Sequence, residues 1–250
     1  MRVPRPLMIV PVLTASLLLA GCSGSEESPQ ASGSGTADAP ASEAPATDAP
    51  PADTPASDGP ENTATTVGNC VYTPAEDGTG EAGPPSDEDL VTEGVLDGIL
   101  MTSAGNIAIE LDAAAAPCTV TSFRHLANAD YFDESECHRL TTESIYVLQC
   151  GDPTGSGEGG PGYEFANENT EGATYGRGTL AMANAGPDTN GSQFFLVYDD
   201  SPLDPDYTVF GRVSEGGLAI LDQIAAAGAE GGASDAAPAT PVQIADVIVS

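Results

Sequence analysis

Between residues 23 and 66 the chain has no Val, Leu, Ile, Met or aromatic residue. Such a stretch cannot bury enough apolar surface to offset the entropy of ordering it. Any core must therefore form elsewhere, and all 13 Tyr and Phe residues lie within residues 67–250. The segment holds eight acids and no base, so self-repulsion keeps it extended. As a coil its 44 residues span roughly 35–40 Å. The reading is a disordered tether.

Ahead of the tether, Arg2 and Arg5 precede an apolar run from Leu7 to Ala20. That run is shorter than the roughly 20 residues a membrane-spanning helix needs and suits the apolar region of a signal peptide. It ends in Leu19-Ala20-Gly21-Cys22, which resembles a bacterial lipobox. The expectation is cleavage after residue 21, a lipid on Cys22, and attachment to the outer side of the bacterial membrane. The expected division is 1–21 leader, 22–66 lipidated Cys and tether, 67–92 irregular lead-in, and 93–250 folded domain.

The formal net charge is −32, and all six basic residues are Arg. Phosphate contacts need clustered cations, so nucleic acid is excluded as a partner. The same charge repels anionic membrane surfaces and leaves the lipid as the means of attachment.

From residue 94 onward the pattern is mostly short strands. Residues 94–102 and 106–112 flank Ser103-Ala104-Gly105, and Ile107, Ile109 and Leu111 alternate with polar or small neighbours. Residues 145–148, 178–185, 192–198 and 242–249 read as further strands, with Asn190-Gly191 as a turn signal. Residues 119–128, after Pro117, and 214–227, between Ser214 as N-cap and Gly228 as stop, read as helices. Many strands with two helices point to a mainly β fold, a closed antiparallel barrel.

Cys137-His138-Arg139-Leu140, Leu148-Gln149-Cys150-Gly151-Asp152, Leu180 to Pro187, Asn190-Gly191-Ser192-Gln193-Phe194-Phe195 and Tyr207 to Gly211 follow in order. Over residues 94–249 this sequence resembles the cyclophilin family of peptidyl-prolyl isomerases. The resemblance implies an eight-stranded antiparallel barrel capped by two helices. It implies isomerisation of X–Pro bonds in proline-containing segments of exported proteins, with no cofactor and no metal, by a monomer. Arg139 matches the catalytic arginine, where the family has Phe-His-Arg. Gln149 and Asn184 match substrate-anchoring amides. Tyr146, Val147, Phe195, Leu203 and Tyr207 match the lining of the proline pocket. Gln193 shares strand phase with Phe195, so both can face one site, and Ala183 and Ala185 flank Asn184 as a groove floor. The rival reading is a tethered binding or chaperone module using the same groove without catalysis.

The sequence departs from the family at several points. Two extra residues separate Arg139 from Gln149, Tyr146 replaces Phe, Tyr207 stands where His is common, and there is no Trp. The missing Trp implies weakened cyclosporin binding. Gly155 to Gly160 contains a G-x-G-x-x-G match, but Pro161-Gly162-Tyr163 follows it rather than a helix, so it reads as a turn and not a phosphate site. Asp152 and Glu158 lack the spacing of an EF-hand calcium loop. His125 and His138 read as packed or hydrogen-bonded. With Cys22 lipidated, Cys70, Cys118, Cys137 and Cys150 are left, an even number that suggests two disulfides in an exported protein. Three pairings are possible, and four buried thiols are the alternative. Cys137 with Cys150 is the local choice. It sits awkwardly because Cys137 is in strand phase with Arg139 while Cys150 is out of phase with Gln149, so the connectivity stays open.

Overall fold

The computed structural model describes residues 63–250 except 77, 80 and 81. The leader, Cys22 and nearly all of the tether lie outside the described residues. The strands are β1 (Thr65–Val67), β2 (Cys70–Pro74), β3 (Val95–Thr102), β4 (Gly105–Asp112), β5 (Arg139–Thr141), β6 (Val147–Cys150), β7 (Tyr163–Phe165), β8 (Thr179–Asn184), β9 (Asn190–Val197), β10 (Val209–Val213), β11 (Asp235–Ala236) and β12 (Ile244–Val249). The α-helices are α1 (Pro117–Asn128) and α2 (Glu215–Ala227), and a short 3-10 turn covers Glu230–Gly232. Among the described residues no helix is long and apolar enough to cross a membrane.

The pairings run β1-β2-β7-β9-β8-β10-β4-β3-β12, with β6 also on β9, β5 on β6 and β11 on β5. The ladders do not make a closed ring, and the described strands number twelve. The expectation of a closed eight-stranded barrel is corrected accordingly. Between β5 and β12 there is only an isolated Glu136–Gln243 bridge. It is bracketed by Cys137 N–H to the Val242 carbonyl and Ile244 N–H to that of Ser135, at 2.9 and 2.8 Å. The segment expected to be irregular holds the β1–β2 hairpin, which starts two residues inside the expected tether. Val67 and Tyr72 are buried there, and a Cys70–Cys118 disulfide ties the hairpin to α1.

Alternation along the strands builds two apolar layers. One phase gives Leu140, Leu148, Leu196 and Leu180, successive partners across β5, β6, β9 and β8 and all buried in the main core. Phe123 of α1 enters that core against Phe132, Phe194 and Phe210, with ring centroids 5.2–5.4 Å apart. Pro117 starts α1, where its missing N–H costs nothing, but Ala116 offers no side-chain cap. Glu168 supplies one from a distant loop, accepting from Cys118 N–H, Thr119 N–H and the Thr119 hydroxyl at 3.0, 2.8 and 2.7 Å. A carboxylate there also complements the helix dipole. Helix α2 is capped as expected: Ser214 Oγ accepts from Gly217 N–H, and Gly228 ends it with φ 79°.

Asn190-Gly191 opens β9 rather than turning the chain. The turn falls just before it, where Asp188 takes φ 64°. Asn190 is buried because its amide donates to the Phe165 carbonyl and Asn167 Oδ1, at 3.0 and 2.8 Å. These two donated bonds hold the residue in the sheet, where a hairpin tip would have left it exposed, although the buried Asn190 Oδ1 accepts none.

Candidate active site

The opposite strand phase builds the site. Arg139 pairs with Gln149, Gln149 with Phe195, and Phe195 with Ala181. This row lies one residue out of step with the leucine row and so faces away from the main core. Val147, Ala181, Phe195, Val197 and Tyr175 form a second buried cluster, against which Ile145, Ala183, Leu203 and Tyr207 pack. Over it lies a pocket of about 240 Å³ lined by Arg139, Ile145, Val147, Gln149, Ala183, Asn184, Phe195, Leu203 and Tyr207. Drug-sized ligands take roughly 300–1,000 Å³, so this volume suits a single small ring. The Tyr207 ring meets that of Phe195 edge to face at 5.4 Å. Tyr175 O–H donates to the Tyr207 carbonyl and accepts from its N–H, both at 2.9 Å, which fixes the Tyr207 backbone.

Among the described residues Arg139 is the one cation lining this pocket. Its Nε and Nη2 donate to Asp235 Oδ1 and Oδ2, each at 2.8 Å, and Nη1 donates to Gln149 Oε1 at 3.3 Å. Hydrogen bonding to Asp235 raises the Arg139 guanidinium further above its ordinary range and lowers the Asp235 carboxyl. Gln149 Nε2 donates to Gln193 Oε1 at 2.8 Å, and Gln193 Nε2 donates to the carbonyls of Gly157 and Gly159 at 2.8 and 3.0 Å. The two glutamines are thus oriented in series, and Arg139 is held from two sides.

A second cavity of about 370 Å³ adjoins the first and shares Gln149, Ala183 and Asn184 with it; Ala185, Gln193, Gly157, Glu158, Gly159 and Gly191 complete its lining. Asn184 Nδ2 donates to the Asp206 carbonyl, and Asn184 Oδ1 accepts from Gly186 N–H, at 3.0 and 3.2 Å. The outer wall is the 152–160 loop, organised around the buried Asp152. Burial alone would raise this carboxyl, but donors from Thr154, Gly159 and Gly157 outweigh it and hold it at about 2. Both Asp152 carboxylate oxygens accept from the loop's own N–H and O–H groups. Gly151 must be glycine: its φ is 93°, and a Cβ would stand 2.4 Å from the Ser192 carbonyl oxygen.

Arg139, Val147, Gln149, Ala183, Asn184, Phe195, Leu203 and Tyr207 therefore come together at the smaller pocket, and Ala185 and Gln193 at the adjoining cavity. Tyr146 does not line either one. It is one step out of phase with Val147, packs against the main core and stacks edge to face on Tyr198 at 5.9 Å. Ile145, on the Val147 side, lines the pocket in its stead, and a period of two counted back from Val147 would have found it. Tyr175 and Asp235 carry no motif and come from distant segments. Cys137 bonds to Cys150. Residues 137–138 precede β5 and lie in no ladder, so the strand phase that made this pairing awkward does not apply to them. Burial lowers the His138 imidazole, and the ring lies under Gly157. His125 Nδ1 meets Asp89 Oδ2 at 3.0 Å, and Nε2 meets the Ala82 carbonyl at 3.2 Å.

The family profile described as cyclophilin type peptidyl-prolyl cis-trans isomerase/CLD matches residues 99–249. A probable peptidyl-prolyl cis-trans isomerase B of Mycobacterium leprae (strain TN) is 47% identical over 191 residues, covering 70% of this chain and 65% of the relative. The protein of that name from Mycobacterium tuberculosis (strain ATCC 25618 / H37Rv) is 47% identical over 203 residues, covering 72% and 64%. The chain thus spans just under two thirds of the length of these curated relatives. A crystal structure of a Cryptosporidium parvum cyclophilin type peptidyl-prolyl cis-trans isomerase superposes with a TM-score of 0.56 at 28% identity, covering 63% of this chain and 98% of that one. The same protein in the presence of the dipeptide Ala-Pro gives 0.55 at 29% identity, covering 62% of this chain and 98% of that one. The match over most of the folded region, and the two mycobacterial relatives, place this chain in the cyclophilin-type peptidyl-prolyl cis-trans isomerase family.

Proposed function

We propose that this chain catalyses cis-trans isomerisation of X–Pro bonds in exported proteins as they fold. The observation that carries the reading is a small pocket floored by Val147, Phe195 and Leu203, with one oriented guanidinium at its rim. Rotation about an X–Pro bond breaks no covalent bond, but it must overcome roughly 18–20 kcal/mol of partial double-bond character. Uncatalysed, it takes tens of seconds. A catalyst needs a dry seat for the ring, anchors for the flanking backbone, and a donor placed where the twisted amide gathers electron density. Phe195, Val147, Leu203 and Tyr207 supply the seat. Gln149 and Asn184 stand at its edge as anchors. In the twisted amide the prolyl nitrogen is pyramidal and recovers its lone pair, which the Arg139 guanidinium would meet. Binding the twisted state better than either planar state is what lowers the barrier. The Ala-Pro dipeptide present with the Cryptosporidium relative fits this substrate class.

The export reading is supported by the leader-like residues 1–21 and by the Cys70–Cys118 and Cys137–Cys150 disulfides, which suit an oxidising compartment. Lipid on Cys22 would hold the domain outside the membrane at the end of the tether. Stable anchoring takes at least two acyl chains, and the diacylglyceryl group that the lipobox resemblance implies supplies them. Cys22→Ala should move the protein from the membrane fraction to the medium, or leave an uncleaved precursor. A variant that fractionates and migrates like wild type refutes the anchor. The direct test of activity is acceleration of isomerisation in a short Xaa-Pro peptide by the purified protein. Binding without acceleration would favour the chaperone-module reading.

A further inference from the structure

We propose that Asp235 is a positioning residue for the isomerisation step, presenting the Arg139 guanidinium to the pocket in one fixed orientation. The inference rests on the isomerase reading above. Strand β11 is two residues long and pairs with β5 through Asp235–Thr141 and Ala236–Leu140. That pairing sets the Asp235 carboxylate diagonally across from Arg139. The contact is a fork on a fork, Nε to Oδ1 and Nη2 to Oδ2 at 2.8 Å each, which fixes orientation as well as distance.

A guanidinium has five N–H donors. Asp235 takes the Nε donor and one on Nη2, and Gln149 takes one on Nη1. Two donors are left, one on each terminal nitrogen. An unpaired arginine would spread its rotamers over several orientations, and a donor displaced by about 1 Å can cost a large factor in rate. Asp235 is half-exposed, with a side chain 52% accessible. At such exposure an ion pair contributes little to stability, so its effect should appear in turnover.

The test is kinetic, on the whole purified protein, with an Xaa-Pro peptide and the variants Asp235→Ala, Asp235→Glu, Arg139→Ala and Asp235→Ala/Arg139→Ala. Asp235→Ala should lower kcat roughly ten- to a hundredfold with KM within about twofold and a nearly unchanged melting temperature. Asp235→Glu should recover part of the loss. In the Arg139→Ala background, removing Asp235 should change kcat no further, because it acts only through that arginine. The Arg139 Nε–H resonance, held in the ion pair, should be observable in wild type and lost in Asp235→Ala. Wild-type or raised kcat in Asp235→Ala, alongside a crippled Arg139→Ala, would overturn the positioning role alone. An equal fractional loss in both backgrounds would also overturn it, by showing a structural effect. Wild-type turnover in Arg139→Ala would overturn the isomerase mechanism and the positioning role together.

Discussion

Two ion pairs in this protein join the same residue types, Arg139 presenting Nε and Nη2 to its acid and Arg177 presenting Nη1 and Nη2. Arg139 grips Asp235 with two contacts of 2.8 Å, and Arg177 grips Asp222 of α2 with contacts of 2.8 and 2.9 Å. The arginine side chains are each 38% exposed, and the acids 52% and 53%. Each guanidinium has a further partner, Gln149 Oε1 for Arg139 and the Tyr198 carbonyl for Arg177. The ground beside them differs as well. Arg139 stands on the outward row of β5, at the rim of a pocket with an apolar floor, next to an amide that another amide holds in place. Arg177 lines neither of the two cavities described above and joins Asp222 of α2 to the Tyr198 carbonyl. An arginine–carboxylate fork by itself says nothing about function; the surface its free edge meets decides.

That contrast can be broken experimentally. The largest effect expected is in Arg139→Ala: a fall in kcat/KM of roughly 10²- to 10³-fold, by analogy with loss of one transition-state donor worth about 3–4 kcal/mol. Its melting temperature should barely move, since an exposed ion pair is worth roughly 0–1 kcal/mol. Arg177→Ala, measured beside it, should retain kcat/KM within about twofold. Equal losses in the two variants would erase the distinction drawn above.

A third acid sharpens the contrast from the other side. Asp152, unlike Asp235, is buried, and its carboxyl sits at about 2. A depressed carboxyl stabilises the fold above its unfolded value near 3.9 and loses that contribution as pH falls toward the folded value. From 3.8 to about 2, the shift corresponds to roughly 2 kcal/mol. Thermal melts between pH 4.5 and 2 should therefore fall more steeply in wild type than in Asp152→Asn. Parallel slopes would show that the loop does not draw on this charge. The smallest effect concerns ligand preference. With no Trp in the chain, an indole donor and a broad flat contact are missing, and cyclosporin should inhibit less strongly than it inhibits a Trp-bearing relative. Equal inhibition constants, measured in parallel, would refute this.

The parts of the site that can be read from sequence are those governed by motif and strand phase. Arg139, Gln149 and Phe195 fall on one row because alternation along three adjacent strands puts them there. Val147 follows from Gln149 by the same count. Family resemblance matches Tyr146 to the pocket, yet the phase that places Val147 turns Tyr146 away and brings in Ile145. The Cys137–Cys150 pairing could not be settled by phase because the chain leaves the ladder before Arg139. Asn190-Gly191 carries a turn signal, but the Asn190 amide has better partners inside the sheet. Tyr175 and Asp235 were invisible for a different reason. Tyr175 reaches Tyr207 across 32 positions, and Asp235 reaches Arg139 across 96, so no local pattern marks either. The β1–β2 hairpin was hidden because its strands are short and draw their stability from a disulfide and from packing against β7.

The central claim is that the shape of the Arg139 donor array, as well as its charge, lowers the barrier. Replacing Arg139 with Lys tests this most directly, because it keeps the cation and removes the planar fork. With kcat and KM determined separately on an Xaa-Pro peptide, and Arg177→Lys as the matched control, Arg139→Lys should keep KM within about twofold and lose kcat by at least roughly tenfold. The control should behave as wild type. Near-wild-type kcat in a folded Arg139→Lys protein would contradict the account.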